Sequence, residues 1–255
     1  MEIAFALFET SVNVLESALF LDIDGTLADI ADSPADVKID TGLLHLVERI
    51  HRTSGGAIAL ISGRSIHDVD RLFAPLRLAI AGQHGIERRD ASGIVHTHAF
   101  ATAPLREMAE RVRKFAVGHP GVDIEEKGFT LAVHYRRAPD LGEQVRMLLE
   151  QMVAVLDSTF RLQPGKMVLE VKPAGRDKGT AILEFMNEPP FHGRIPIFVG
   201  DDATDEYGFT VINRLGGHSI KVGPEPSVAR WLLPDVDAAR CWLAQLMRNT
   251  HTGQQ

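Results

Sequence analysis

The chain has 255 residues, of which 45% are hydrophobic and 24% charged, with a formal net charge of −7. That size and mix describe an ordinary globular protein near the length at which one core gives way to two. The acidic surplus argues against nucleic acid or an anionic membrane as main partner, and the lone Cys241 excludes an intramolecular disulfide and fits a reducing, cytoplasmic compartment.

The opening MEIAFALFE is apolar but carries Glu2 and Glu9 and no basic residue, so it reads as neither signal peptide nor anchor, and no apolar run reaches the length of a membrane span. ALFLDID (18–24) is a continuous apolar strand of the kind covered on both faces. TGLLHLVERIHR (41–52) has helical periodicity, GAIALISG (56–63) is a second strand, SIHDVDRLFAPL (65–76) a helix ending near Pro75, and LAIAGQHG (78–85) a third strand. This alternation predicts an α/β fold, a Rossmann-like parallel sheet.

The rhythm then changes. IERRDASGIVHTH (86–98) reads as a hairpin turning at Ser92-Gly93, with ERR (87–89) on a solvated edge. A helix is predicted over 104–117, an antiparallel pair over 122–137 turning at Lys127-Gly128, a helix over 142–156, and a strand pair over 160–173 turning at Pro164-Gly165. This is an inserted α+β unit, placed at 104–173 between two parts of a core domain, 1–103 and 174–255. The first rhythm resumes with a helix over 178–188, a strand over 195–202, a helix over 204–216, a last strand over 218–223 and a closing helix over 236–247, in which Cys241 is expected as a packed thiol. The final RNTHTGQQ reads as a frayed tail.

Ligands of an open parallel sheet bind beyond the carboxyl ends of its strands. Polar clusters stand at those ends: Asp22-Ile23-Asp24-Gly25-Thr26, Ser62-Gly63-Arg64, Gln83-His84-Gly85, and Gly200-Asp201-Asp202 with Thr204-Asp205-Glu206 beyond. Alternation along a strand predicts that Asp22 and Asp24 project together, which is tolerable with a cation, a proton or water between them. Asp22, Asp24 and Asp201 are hard oxygen ligands suited to Mg2+. Ser62, Lys178 at a helix start and the amides of residues 23–25 suit a phosphate. Asp22, nearer the strand, is the candidate nucleophile for an aspartyl-phosphate, and Asp24 the candidate proton donor and acceptor. Each cluster alone has a plainer reading: DIDGT as a strand end and turn, Ser62-Gly63 as a turn, and GDDATDE as a helix start capped by Thr204. Their coincidence at the carboxyl ends favours chemistry.

In order, DIDGTL, ISGR, RDKG and GDDATDE resemble the four motifs of the haloacid dehalogenase-like phosphatases. Together with AGQHGIERRD, LAVHYR and GKMVLEVKP, they resemble the trehalose-6-phosphate phosphatase family over nearly the whole chain. The resemblance implies hydrolysis of trehalose 6-phosphate, with Asp22 as nucleophile, Asp24 as acid and base, and Asp22, Asp201 and the backbone carbonyl of Asp24 on Mg2+. It implies that Ser62 and Lys178 hold phosphoryl oxygens and that Asp202 and Asp205 support the metal's water shell. The insertion would be a cap reading the sugar through Arg136, Lys166 and Glu170, with Gly63, Arg64, Gln83, His84 and Gly85 binding substrate from the core side. Two other readings stand beside it: a phosphatase of another sugar phosphate such as sucrose phosphate, and a catalytically silent binding module of the same fold. The expected partner is a small sugar phosphate, not nucleic acid or membrane, and the oligomeric state is not legible.

Overall fold

The apolar run at the start of the chain folds as β1 (Ser17–Leu21), the middle of an eight-stranded sheet. In this computed structural model, residues 12–31, 33–98, 101–156 and 159–249 are described; the opening MEIAFALFE and the tail from residue 250 lie outside them. The chain divides into two units, one formed by the residues up to His96 with those from Asp177 onward, the other by Thr97–Arg176.

The first unit is the expected α/β class. Its strands are β1, β2 (Ile58–Ile61), β3 (Ala79–Gly82), β4 (Glu87–Arg89), β5 (Val95–Thr97), β10 (Ile195–Gly200), β11 (His218–Val222) and β12 (Trp231–Leu233), ordered β12-β11-β10-β1-β2-β3-β4-β5. The first six in that order are parallel, and β4 runs antiparallel to β3. The helices are α1 (Thr41–Thr53), α2 (Ile66–Leu72), α5 (Lys178–Met186), α6 (Asp205–Arg214) and α7 (Val236–Asn249). Alternation decides the layers. Leu19 and Leu21 pack with Leu43 and Val47 of α1 and Trp242 of α7, while Ala18 and Phe20 pack with Phe185 of α5 and Phe209 of α6.

The second unit is α+β. An antiparallel sheet, ordered β6-β7-β9-β8, comprises β6 (Asp123–Glu126), β7 (Leu131–His134), β8 (Phe160–Gly165) and β9 (Val168–Pro173). Leu131, Val133, Leu169 and Val171 pack on α3 (Ala103–Val117) and α4 (Gly142–Val153), through Val112 and Leu149 among others.

Four expectations are corrected. The hairpin of 160–173 turns at Lys166-Met167, and β8 runs straight through Pro164-Gly165. It is the sheet's edge strand, where a proline's missing N–H costs no ladder bond, and Met167 takes the positive φ of the turn at +61°. The last strand is β12, which pairs with β11; its mixed exposure hid it. Cys241 is exposed, because α7 turns Trp242 and Leu243 inward instead. The stretch 87–89 is no solvated edge: Arg88 and Arg89 are buried, held by Glu184 and by Asp70 respectively.

Candidate active site

The carboxyl ends of β1 and β10 meet because the strands are in parallel register, with Leu21 beside Val199. Asp22 follows directly, and its N–H donates to the Val199 carbonyl at 3.0 Å. Its buried carboxylate accepts a hydrogen bond from Lys178 Nζ at 2.9 Å. Lys178 is the first residue of α5, a helix started by a reciprocal cap between Asp177 and Thr180. The same ammonium donates to Asp205 Oδ1 at 2.7 Å. Asp205 Oδ2 accepts from the backbone N–H groups of Asp201 and Asp202 at 3.0 and 2.9 Å, which folds the segment after β10 around it. At Gly25, with φ +84°, a Cβ would come within 2.2 Å of Asp201 Oδ2, so only glycine lets the Asp201 carboxylate lie against this turn.

Asp22, Asp201 and Asp205 thus each present a carboxylate oxygen within 4.8 Å of the others, all buried. The electrostatics are severe. Burial pushes the Asp22 carboxyl well above its usual range, with Lys178 pulling down and Asp205 and Asp201 adding to the rise. Burial likewise raises Asp205, to about 6, against the pull of Lys178. Burial alone would lower Lys178, but Asp205 and Asp22 outweigh it and hold the ammonium well above its ordinary value, so it stays charged. Asp202 is held low despite burial, first by Lys178 and then by the Thr204 N–H. Three hard oxygens with one cation leave a surplus of negative charge that a divalent ion would neutralise, and the donor set fits one.

Asp24 does not join this cluster. β1 ends at Leu21, so strand alternation no longer governs residue 24, and the expectation that the two acids project together is corrected. The Asp24 carboxylate accepts two bonds from Arg64, from Nε and Nη2, both at 2.7 Å. Arg64 Nη1 also donates to the Pro34 carbonyl at 2.8 Å. Arg64, expected on substrate, is here a fixed partner of the candidate proton carrier.

Ser62 is buried at the end of β2, and its Oγ accepts from the Arg64 N–H at 3.1 Å. Against this turn lies the segment Gln83–Gly85. The N–H of Gln83 donates to Arg64 O at 2.8 Å and that of His84 to Ser62 O at 3.0 Å. A Cβ at Gly63 would meet the His84 ring at 2.8 Å. Gly63, Arg64, Gln83, His84 and Gly85 are therefore one packed group, and Gly85 abuts the backbone of Asp177, just before Lys178.

In the second unit, Glu170 is buried and accepts from Thr130 Oγ1 at 2.6 Å and Lys127 Nζ at 3.4 Å. Arg136 Nη2 donates to the Lys166 carbonyl at 3.4 Å, past the His134–Val168 pair of the ladder. Glu170, opposite Ala132, lies one pair further in on its face.

Sequence reasoning passed over several neighbours. Thr26 Oγ1 donates to Asp22 Oδ2 at 3.5 Å. Lys221, buried on β11, donates to the carbonyls of Asp201 and Val222 and to Glu225. A lysine inside the apolar SIKVG was the available signal, since a buried ammonium must find acceptors. Lys127 and Glu125 accompany Glu170, and their signal was charge beside a turn. Thr204 does not cap α6 with its hydroxyl; its N–H donates to the Asp202 carboxylate instead.

Residues 20–233 match the trehalose-phosphatase family. The chain belongs to that family. It is a phosphoric monoester hydrolase by that membership. It is 42% identical to the trehalose-6-phosphate phosphatase of Escherichia coli (strain K12) over 240 residues, 94% of this chain and 90% of that protein. Its fold is similar to the C-terminal domain of C. albicans trehalose-6-phosphate phosphatase, with a TM-score of 0.85, 21% identity and 97% of each chain covered. It is also similar in fold to a Bacteroides thetaiotaomicron phosphatase of the haloalkanoate (HAD) enzyme superfamily, with a TM-score of 0.57, 20% identity and coverage of 90% of this chain and 93% of that one. Among the described residues no helix is long and apolar enough to cross a membrane.

Proposed function

We propose that this protein hydrolyses trehalose 6-phosphate to trehalose and phosphate, through a phosphoryl group carried on Asp22. The observation that carries the chemistry is the buried Asp22–Lys178–Asp205 chain at the carboxyl end of β1 and β10, with Asp201 beside it. The substrate is the one named for the relative that matches most of the chain.

Asp22, Asp201 and Asp205, with the backbone carbonyl of Asp24, would hold a divalent cation, Mg2+ by its preference for hard oxygens. When bound, the ion neutralises negative charge on the transferring phosphoryl group. An Asp22 oxygen attacks phosphorus; the bond from phosphorus to the sugar oxygen breaks, and that oxygen takes a proton from Asp24. Water then attacks the acyl phosphate, Asp24 removes its proton, and the bond to Asp22 breaks to release phosphate. Lys178, held by Asp22 and Asp205, stands ready for a phosphoryl oxygen, as does the Ser62 hydroxyl. Asp24 must leave at least one of its Arg64 bonds to carry the proton. In the second unit, Glu170, Lys127, Arg136 and Lys166 offer donors and acceptors for sugar hydroxyls.

A panel of trehalose 6-phosphate, sucrose 6-phosphate and glucose 6-phosphate, read by phosphate release with Mg2+, tests the substrate. A kcat/KM for the trehalose ester at least roughly a hundredfold above the others is expected, since a site built on hydroxyl contacts rejects ligands lacking them. Preference for the sucrose ester would move the reading to that substrate, and no release from any ester would leave a silent binding module.

A further inference from the structure

We infer that Glu87 is a positioning residue for the phosphate cradle: one carboxylate oxygen ties the start of α2, and so the Ser62–Arg64 turn, to the Gln83–Gly85 segment. The inference rests on the reading of Ser62 as a phosphoryl-binding group and needs no assumption about the sugar.

Glu87 opens β4, in the stretch whose charges reading by composition would leave in solvent. Its Oε1 accepts from the Ile66 N–H, the first of α2, at 2.7 Å, and from Gln83 Nε2 at 3.3 Å. The three groups converge over Gly82, where a Cβ would come within 2.8 Å of that same Oε1 and 3.0 Å of both Arg64 O and Ile66 N. The first N–H groups of a helix have no partner inside it, so an acceptor there is a fixed point for the helix start.

The segment so held is strained. Gln83 and His84 are consecutive non-glycine residues at φ +47° and +57°. Such a conformation is costly for a non-glycine residue and persists only where its surroundings overdetermine it. Here the restraints are the Gln83 and His84 N–H bonds to Arg64 O and Ser62 O, together with the Glu87 bond to the Gln83 side chain. Glu87 is itself fixed from both following residues. Arg88 is bound by Glu184 and lies over the Phe185 ring of α5 at 4.8 Å, and Arg89 holds Asp70 of α2 at 2.7 Å from two nitrogens. The strand ERR therefore braces α2 and α5, the two helices that follow Ser62 and begin at Lys178. Glu87 is the member whose bond reaches the cradle itself.

The test compares Glu87→Ala, which removes the acceptor, with Glu87→Gln, which keeps an oxygen in place. Hydrogen exchange read by mass spectrometry should rise at least roughly tenfold over residues 62–68 and 82–86 in the alanine variant, with the rest of the chain unchanged. With p-nitrophenyl phosphate, which reads the cradle whatever the sugar, kcat should fall roughly ten- to a hundredfold, the effect of a misplaced binding group. The glutamine variant should recover kcat to within about threefold, and Mg2+ affinity should stay within about twofold in both variants, because the acid cluster is not touched. Unchanged exchange and kcat in the alanine variant would overturn the inference. So would exchange raised over the whole first unit, or a glutamine variant as impaired as alanine. Failure of the trehalose reading would show separately, as wild-type activity on the aryl ester with none on the sugar ester.

Discussion

Asp205 is the acid whose ionisation is most exposed to experiment. Burial raises its carboxyl to about 6 from an ordinary 3.8. A carboxyl raised in the folded state stabilises the fold below its unfolded value, and that contribution is lost as pH rises through the folded one. In chelator, wild type should therefore lose stability relative to Asp205→Asn as pH rises between about 4 and 6. Urea unfolding of both proteins across that range checks it, and parallel curves would mean that Asp205 is not raised. At this scale the placement of Asp22, Ser62 and Asp201 just past strand ends, and of Lys178 at a helix start, was legible in the sequence. The direction of Asp24 was not. Alternation applies only inside a strand, and β1 stops one residue before Asp22, leaving the turn at Gly25 and the reach of Arg64 to aim the side chain.

On the proposed reading, elements of the second unit recognise the sugar. Glu170 sits on β9 between Ala132 of β7 and Gln163 of β8, with Thr130 and Lys127 as donors. Replacing it by alanine removes the acceptor of two bonds and frees Lys127 to other acidic groups nearby. If Glu170 reads sugar hydroxyls, Glu170→Ala should lower kcat/KM for trehalose 6-phosphate by roughly ten- to a thousandfold, the loss of one or two charge-assisted bonds, and leave an aryl phosphate nearly unchanged. Equal losses on both substrates would assign Glu170 to the fold of this unit. The elements here were readable from turn residues and alternation, as at Lys127-Gly128. The exception, the turn at Lys166-Met167, shows the limit. Pro-Gly signals a turn strongly, yet on an edge strand proline is harmless and methionine took the positive φ. ERR misled for a similar reason: three charges in a row look solvated until the partners, far off in sequence on α2 and α5, are in place.

At the scale of the whole molecule, the acid cluster lies within one unit, and ion binding should report that. The acid cluster belongs to the unit formed by the residues up to His96 and from Asp177 on. A ligand that binds only the folded state stabilises it by about 2.7 kcal/mol at a hundred times its Kd. Mg2+ should therefore slow hydrogen exchange in that unit, most at the ends of β1 and β10, and leave Thr97–Arg176 as it was. Equal protection of both units would contradict a site confined to the first. The α/β class was legible throughout because continuous apolar strands alternating with helices admit few other solutions. β12 was not, being an edge of mixed exposure that lacks such a run.

The central claim is that the oxygen forming the bond to phosphorus is on Asp22. Beryllofluoride, which mimics a phosphoryl group by bonding to a carboxylate oxygen, tests it directly by fluorine NMR in the presence of Mg2+. Wild type and Asp24→Asn should both give bound fluoride signals, and Asp22→Asn should give none while remaining folded. Bound signals of equal strength in Asp22→Asn would contradict the account.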